Sequence, residues 1–161
     1  MKTYYDSKNH RLVNIKEKAN ADFWDSHWEH YSKNKTIRPL FLSRRIIGPT
    51  KKYLFNGARV LEGGCGLAQN VWALQKSGFD TYGIDWAKET VEKINSEIPE
   101  LKVFRGDVRQ LEFDDNFFDG YWSIGVIEHF YDGFDHISSE MQRVIKPGGY
   151  LFLTFPCISN Y

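Results

Sequence analysis

Cysteine, methionine and net charge are all scarce in this chain. Of 161 residues two are cysteine, two are methionine and five are proline, and 21 basic side chains balance 21 acidic ones. Two cysteines rule out a disulfide scaffold and suit a reducing cytosol. Cys65 and Cys157 are expected on strands with another strand between them, about 10 Å apart and beyond disulfide reach. A balanced charge argues against nucleic acid, whose partners carry a basic excess. The longest strongly apolar run, Tyr150 to Ile158, is about half of a membrane span, and Met1 to Tyr5 lacks the apolar stretch of a signal peptide. No metal-ligand spacing and no nucleophile constellation stand out. The expectation is a cytoplasmic protein with no membrane span, no nucleic-acid partner and no metal.

What is present is a core. The chain is 42% hydrophobic and 16% aromatic, enough for one buried interior. Charge is uneven: residues 1–57 carry 12 basic and 5 acidic side chains, the remainder 9 and 16. From Arg59 onward short β-rich runs alternate with helical periods, the pattern of a parallel sheet covered by helices on both faces. Strands are expected at Arg59–Glu62, at Thr81–Ile84 ending on Asp85, at 101–104, at Asp119–Ile124 and at 150–155. Helices fall between them. The first runs from Gln69 to Ser77, with Gly78 as its stop. The second buries Val91, Ile94 and Ile98 before Pro99. The third carries the stripe Ile137, Met141, Val144, Ile145, and Lys146-Pro147-Gly148-Gly149 reads as a turn. Before Arg59 a helix presents Trp24, Trp28 and Tyr31 on one face. Another is expected from Pro39 to Ile47, broken by Gly48-Pro49. Residues 1–57 therefore read as a helical cap on a core of residues 58–161.

The most informative stretch is Val60-Leu61-Glu62-Gly63-Gly64-Cys65-Gly66-Leu67-Ala68. A strand ends on an acid, and small residues then turn the chain into a helix. Glycine there allows a ligand close to the backbone. The dinucleotide pattern G-x-G-x-x-G would need a glycine at Gln69, and a phosphate-binding P-loop would need Gly-Lys-Ser/Thr. Neither is met, and no cation follows the glycines, so the ligand is expected to lack phosphates. Asp85 ends the second strand 23 residues after Glu62, and Asp107 follows the third strand 22 residues later. One such acid could be a helix cap or a solvated loop residue. Three at successive strand ends form a row along one side of the sheet, suited to an adenosine-containing, phosphate-free ligand such as S-adenosylmethionine.

The ordered series Val60–Gly66, Gly83-Ile84-Asp85, Gly106-Asp107-Val108, Phe117-Phe118-Asp119, Gly125–His129 and Val144–Gly149 resembles the class I S-adenosylmethionine-dependent methyltransferases, in the branch acting on small molecules. The resemblance covers about residues 57–156. It implies a Rossmann-like α/β sheet of strand order 3-2-1-4-5. It further implies that Glu62, Gly63, Gly64 and Gly66 embrace the methionine end of the cofactor, that Asp85 holds the ribose with Trp86 against the adenosine, and that Asp107 and Val108 hold the adenine. Ser123, Ile124 and Gly125 would line the methyl-donor pocket. Ala68 stands where the family usually has its last glycine, and alanine is small enough to serve there at little cost. The family's C-terminal antiparallel hairpin is missing from this stretch of sequence, so the fifth strand is expected as an apolar sheet edge that invites self-association.

The implied reaction is in-line methyl transfer to a small-molecule acceptor, leaving S-adenosylhomocysteine. The alternatives are a cofactor-binding but catalytically silent or truncated module and, less favoured, an NAD-dependent oxidoreductase. Glu128 and His129 follow the fourth strand, where an acceptor would meet the methyl group. His129 is the candidate base, or else a structural histidine locking its loop. The Trp24, Trp28 and Tyr31 face, with Tyr4, Tyr5 and Phe130, either shields a sulfonium or packs the cap onto the sheet.

Overall fold

The computed structural model describes residues 2–8, 10–15, 20–32, 43–131 and 133–156. Two runs at its start, Lys2–Asp6 (β1) and Arg11–Ile15 (β2), pair antiparallel with Tyr4 opposite Val13. This hairpin corrects the all-helical cap expected of residues 1–57. Thr3, Tyr4 and Tyr5 are strong strand formers, and Asp6 steadies the turn by accepting the Lys8 N–H at 3.2 Å. Helix α1 (Ala21–Ser32) carries the tryptophan face, and Asn20 caps it by accepting the Phe23 N–H at 2.9 Å.

Helix α2 (Ser43–Tyr53) runs through Gly48-Pro49, which were expected to break it; the proposed Pro39 start lies outside the described residues. An interior proline costs about 3 kcal/mol locally, so packing must outweigh it. The buried Thr50 hydroxyl donates to the Ile46 carbonyl at 2.7 Å and accepts Trp122 Nε1 at 3.0 Å. Ile46 and Leu54 join Val60, Leu74, Phe79 and Trp122 in one cluster. The helix is held by what it covers.

From Arg59 strands and helices alternate except between β5 and β6, which a loop joins: β3 (Arg59–Gly63), α3 (Gln69–Lys76), β4 (Asp80–Asp85), α4 (Lys88–Glu97), β5 (Lys102–Arg105), β6 (Phe118–Ile124), α5 (Asp135–Val144) and β7 (Ile145–Thr154). The five strands form one parallel sheet in the order β5-β4-β3-β6-β7. Val60 and Leu61 show how the sequence builds two layers. Adjacent strand residues face opposite sides, so Leu61 joins Ile84, Tyr121, Ile137 and Met141, whereas Val60 joins Leu74 and Trp122. Every strand end of the central sheet then arrives at one rim.

The stretch Lys146–Gly149, expected as a turn, is a bulge inside β7. Phe118 pairs with Ile145 and Gly120 with Tyr150, and Gly148 takes a φ of 81°. Asp119 fills the bulge, accepting from Lys146 Nζ at 2.6 Å and from the Arg59 N–H at 2.8 Å. Among the described strands β7 pairs only with β6, and Tyr150, Leu151 and Leu153 are exposed. A groove of about 470 Å³ runs between α5 and β7, lined by Phe134, Met141, Leu151 and Leu153 among others, and none of the strand-end acids reaches it. No helix among the described residues is long and apolar enough to cross a membrane.

Candidate functional site

The glycine bend after β3 is tied to the end of β4. The N–H groups of Gly64 and Cys65 donate to the Ile84 carbonyl at 2.8 and 3.0 Å, and the Gly66 N–H donates to Asp85 Oδ2 at 2.7 Å. Gly64 and Gly66 have φ of 73° and 49°, the left-handed region that glycine enters freely. There is also no room for side chains. A Cβ on Gly64 would sit 2.6 Å from Val126 Cγ2, and one on Gly66 would sit 2.6 Å from the Trp28 ring. Trp28, from α1, therefore lies directly over the bend. Gly63 differs: its missing side chain makes room for Tyr121 in the core.

Ala68 corrects an expectation. It is buried with φ 53° and ψ 23°, and in that region alanine is strained where glycine is not, by about 1 kcal/mol. Ala68→Gly is expected to stabilise the fold by up to about 1 kcal/mol, measured as a raised urea midpoint. An unchanged or lowered midpoint would show that the strain is relieved elsewhere.

Glu62 is buried. Its Oε1 accepts from Asn70 Nδ2 at 2.7 Å, and its Oε2 has no partner among the described residues. Burial pushes its carboxyl up to about 8, opposed by the Asn70 bond and aided by the charge of Asp85. Asn70 is a site residue that sequence reasoning missed; a polar side chain in the first turn of the helix after the bend was the signal. Ser123, in β6, pairs with Gly63 and so faces the sheet side opposite Glu62; its buried Oγ, like the Tyr121 hydroxyl on that side, has no partner among the described residues. Buried polar atoms nearly always find partners, and a buried carboxylate oxygen left open beside the glycine bend is suited to a ligand's donor.

Asp85 is buried and braces both loops, accepting the Ala87 N–H at 3.0 Å through Oδ1 as well as Gly66 through Oδ2. Burial raises its carboxyl against the pull of those backbone bonds. Two acceptor lone pairs remain. Asp107 is half-buried and already engaged: Arg109 Nη2 donates to Oδ2 at 2.6 Å and Arg109 Nε to Oδ1 at 3.0 Å. The same guanidinium lies 5.2 Å from the Trp86 ring and 5.3 Å from the Phe130 ring. Val108 is buried in the core.

The rim closes with β6 and α1. Gly125 follows β6 with φ 64°, its N–H bonded to the Thr154 carbonyl at 3.0 Å, and Ile124 is half-buried against the same cluster as Phe152. Glu128 and His129 lie exposed in a short 3₁₀ turn (Ile127–His129). The His129 ring stands edge-on to Trp24 at 4.9 Å, and Trp24 stacks on Trp28 at 6.0 Å. Burial, then the charges of His129 and His30, holds His27 below the usual histidine range. Helix α1 is docked by Asp25, whose Oδ1 accepts the Thr90 N–H at 3.0 Å and its hydroxyl at 3.1 Å. Asp25 thus caps α4, whose own N-cap, Ala87, offers no side-chain bond. Tyr4 meets Tyr131 at 2.9 Å, and Phe130 packs toward Arg109. The side chain of Tyr31 and all of Cys157 lie outside the described residues. Cys65 is buried, and burial pushes its thiol up. Among the described residues no group of three His, Cys, Asp or Glu side chains is placed to hold a metal ion.

The structure thus brings Glu62, Gly64, Gly66, Asp85, Trp86, Asp107 and Ser123 to one rim. Comparison with known proteins places the chain in a family. The profile of a family described as "Methyltransferase domain" matches residues 61–153. The methyltransferase GfsG of Streptomyces halstedii is 30% identical over 159 residues, covering 92% of this chain and 54% of that protein. A demethylmenaquinone methyltransferase of a Geobacillus strain is 26% identical over 155 residues, covering 90% of this chain and 62% of that protein. The solved PH0226 protein of Pyrococcus horikoshii superposes with a TM-score of 0.63 at 24% identity, over 78% of this chain and 64% of its own. The chain spans about half the length of the first of these relatives.

Proposed function

Since this chain belongs to the class I S-adenosylmethionine-dependent methyltransferases, we propose that its rim binds S-adenosylmethionine and that it directs methyl transfer to a small-molecule acceptor. The observation that carries this reading is the open buried oxygen Glu62 Oε2 beside a left-handed glycine bend that Asp85 braces. Such a pocket suits a ligand that brings its own donors and no phosphate. A relative's name, demethylmenaquinone methyltransferase, supports a small-molecule acceptor of the quinol class.

The bound cofactor would supply an activated methyl group, so the protein's work is alignment and exclusion of water. Glu62 accepts from the cofactor's ammonium through its free oxygen. Asp85 offers its remaining lone pairs to the ribose hydroxyls while holding the Gly66 amide in place. Trp28 covers the bend, and Trp24 with His129 walls the side from which an acceptor arrives. His129, exposed at that mouth, is positioned to take the acceptor's proton.

Glu62 makes the reading testable by pH. In the free protein burial raises its carboxyl to about 8, and the ionised form pairs with an ammonium far more strongly than the neutral acid does. Binding below pH 8 is therefore expected to expel a proton. The affinity for S-adenosylhomocysteine is expected to be roughly 20-fold lower at pH 6.5 than at pH 8.5, with close to one proton released at the lower pH. Calorimetry in buffers of different ionisation heat reads both quantities. For the free protein the sign is opposite. The folded state holds a proton that the unfolded chain releases above about 4.5, so stability falls as pH rises from there through 8. A pH-independent affinity with no proton release would remove Glu62 from the site. Preference for NADH would overturn the cofactor, and tight binding without turnover over a broad acceptor panel would favour a silent binding module.

A further inference from the structure

We propose that Arg109 is a built-in competitor for the adenine slot: its guanidinium rests against Trp86 and Phe130 and holds Asp107, and it must swing out before the nucleoside enters. The inference rests on the reading that Asp107 and Trp86 face the adenosine. Its support is the kind of contact Arg109 makes. A flat, delocalised group lies 5.2 Å from one aromatic ring and 5.3 Å from another, and its edge donates to both oxygens of one carboxylate at 2.6–3.0 Å. An aminopurine would use the same surfaces, one face on an indole and an amino edge on a carboxylate.

The pairing is also easily exchanged. Arg109 and Asp107 are two residues apart, and the Arg109 N–H bonds the same carboxylate at 2.9 Å, so Asp107 stays oriented when the side chain leaves. The arginine side chain is 42% exposed, and water can take over its N–H groups. The carboxylate is thereby kept ionised and aimed while no nucleoside is present. In the free protein, burial alone would raise Asp107, and the bonds from Arg109 outweigh it and bring the carboxyl below its ordinary value. The consequence is a conformational tax on binding, because only the fraction of molecules with Arg109 displaced accepts the ligand.

The experiment is calorimetric titration of S-adenosylhomocysteine into the wild type, Arg109→Ala and Arg109→Gln, each at low and high salt. Both variants are expected to bind about 5- to 20-fold more tightly than the wild type. Salt screens the Asp107–Arg109 pair, so wild-type affinity is expected to rise with ionic strength and variant affinity to stay flat. If the wild type binds and the variants bind equally or more weakly, Arg109 is not a competitor and the proposal fails alone. If variants retain the wild-type salt response, it also fails. If no protein binds although all unfold at the wild-type temperature, the adenine slot itself is wrong and the cofactor reading falls with it.

Discussion

Asp85→Ala is expected to weaken S-adenosylhomocysteine binding by at least about 100-fold and to lower the stability of the free protein as well. Two effects add. The carboxylate offers lone pairs to two ribose hydroxyls, and each hydrogen bond to a charged group contributes about 1.5–3 kcal/mol. Its loss also strands the Gly66 and Ala87 amides, which now donate to it at 2.7 and 3.0 Å, at about 1–3 kcal/mol per buried unsatisfied group. The bend then loses its tie to β4, and the left-handed glycines are free to move. Asp85→Asn separates the effects. It keeps the shape and one acceptor oxygen but turns an amide toward one of the two N–H groups, so part of the brace survives. Thermal unfolding of both variants gives the stability cost and calorimetry the affinity. A folded Asp85→Ala protein that binds within about fivefold of the wild type would reduce Asp85 to a structural brace.

The row of strand-end residues was legible because each rule behind it is local. A strand of period two, a glycine where the chain turns left-handed, and an acid at or just past a strand's end can all be read within a few positions. The spacing of Glu62, Asp85 and Asp107 then fixes which rim they share, since parallel strands bring their carboxyl ends together. Residues 2–15 carried a readable hairpin, two β-rich runs around a polar turn, that helical periodicity further along overshadowed.

Long-range effects were not legible. Nothing near Pro49 announces that Thr50 will accept from Trp122, 72 residues away, or that α2 will pack into the cluster around it. The Lys146–Gly149 bulge depends likewise on Asp119 across the strand. Asp25 capping α4 joins residues 65 apart. Arg109 is hidden for another reason. The sequence places an arginine near Asp107, but which way it folds depends on Trp86 and Phe130, which come from two other loops. Side chains that answer to three segments at once escape a reading that follows one.

Gly63→Ala tests the link between that rim and the core beneath it. Gly63 closes β3, paired with Ile84 on one side and Ser123 on the other. An added Cβ would press on the Tyr121 hydroxyl and lie 2.7 Å from its Cζ. Tyr121 is fully buried and packed with Leu61, Phe118 and Ile137, so it has nowhere to retreat. The variant is expected to lose about 3 kcal/mol, which for a chain of this length lowers the melting temperature by about 6–12 °C. Tyr121→Phe should behave differently. The hydroxyl has no partner among the described residues, and burial raises the phenol well above its ordinary range. Removing a buried unsatisfied group is neutral or stabilising. The double variant should then recover part of the Gly63→Ala loss, because the hydroxyl contact goes, but not all of it, because the ring edge at 2.7 Å stays. Denaturant titrations of the four proteins close the cycle. Strict additivity, or a Gly63→Ala cost below about 1 kcal/mol, would mean that the sheet shifts to absorb the methyl, and the rim would then be far more compliant than its glycines and buried carboxylates require.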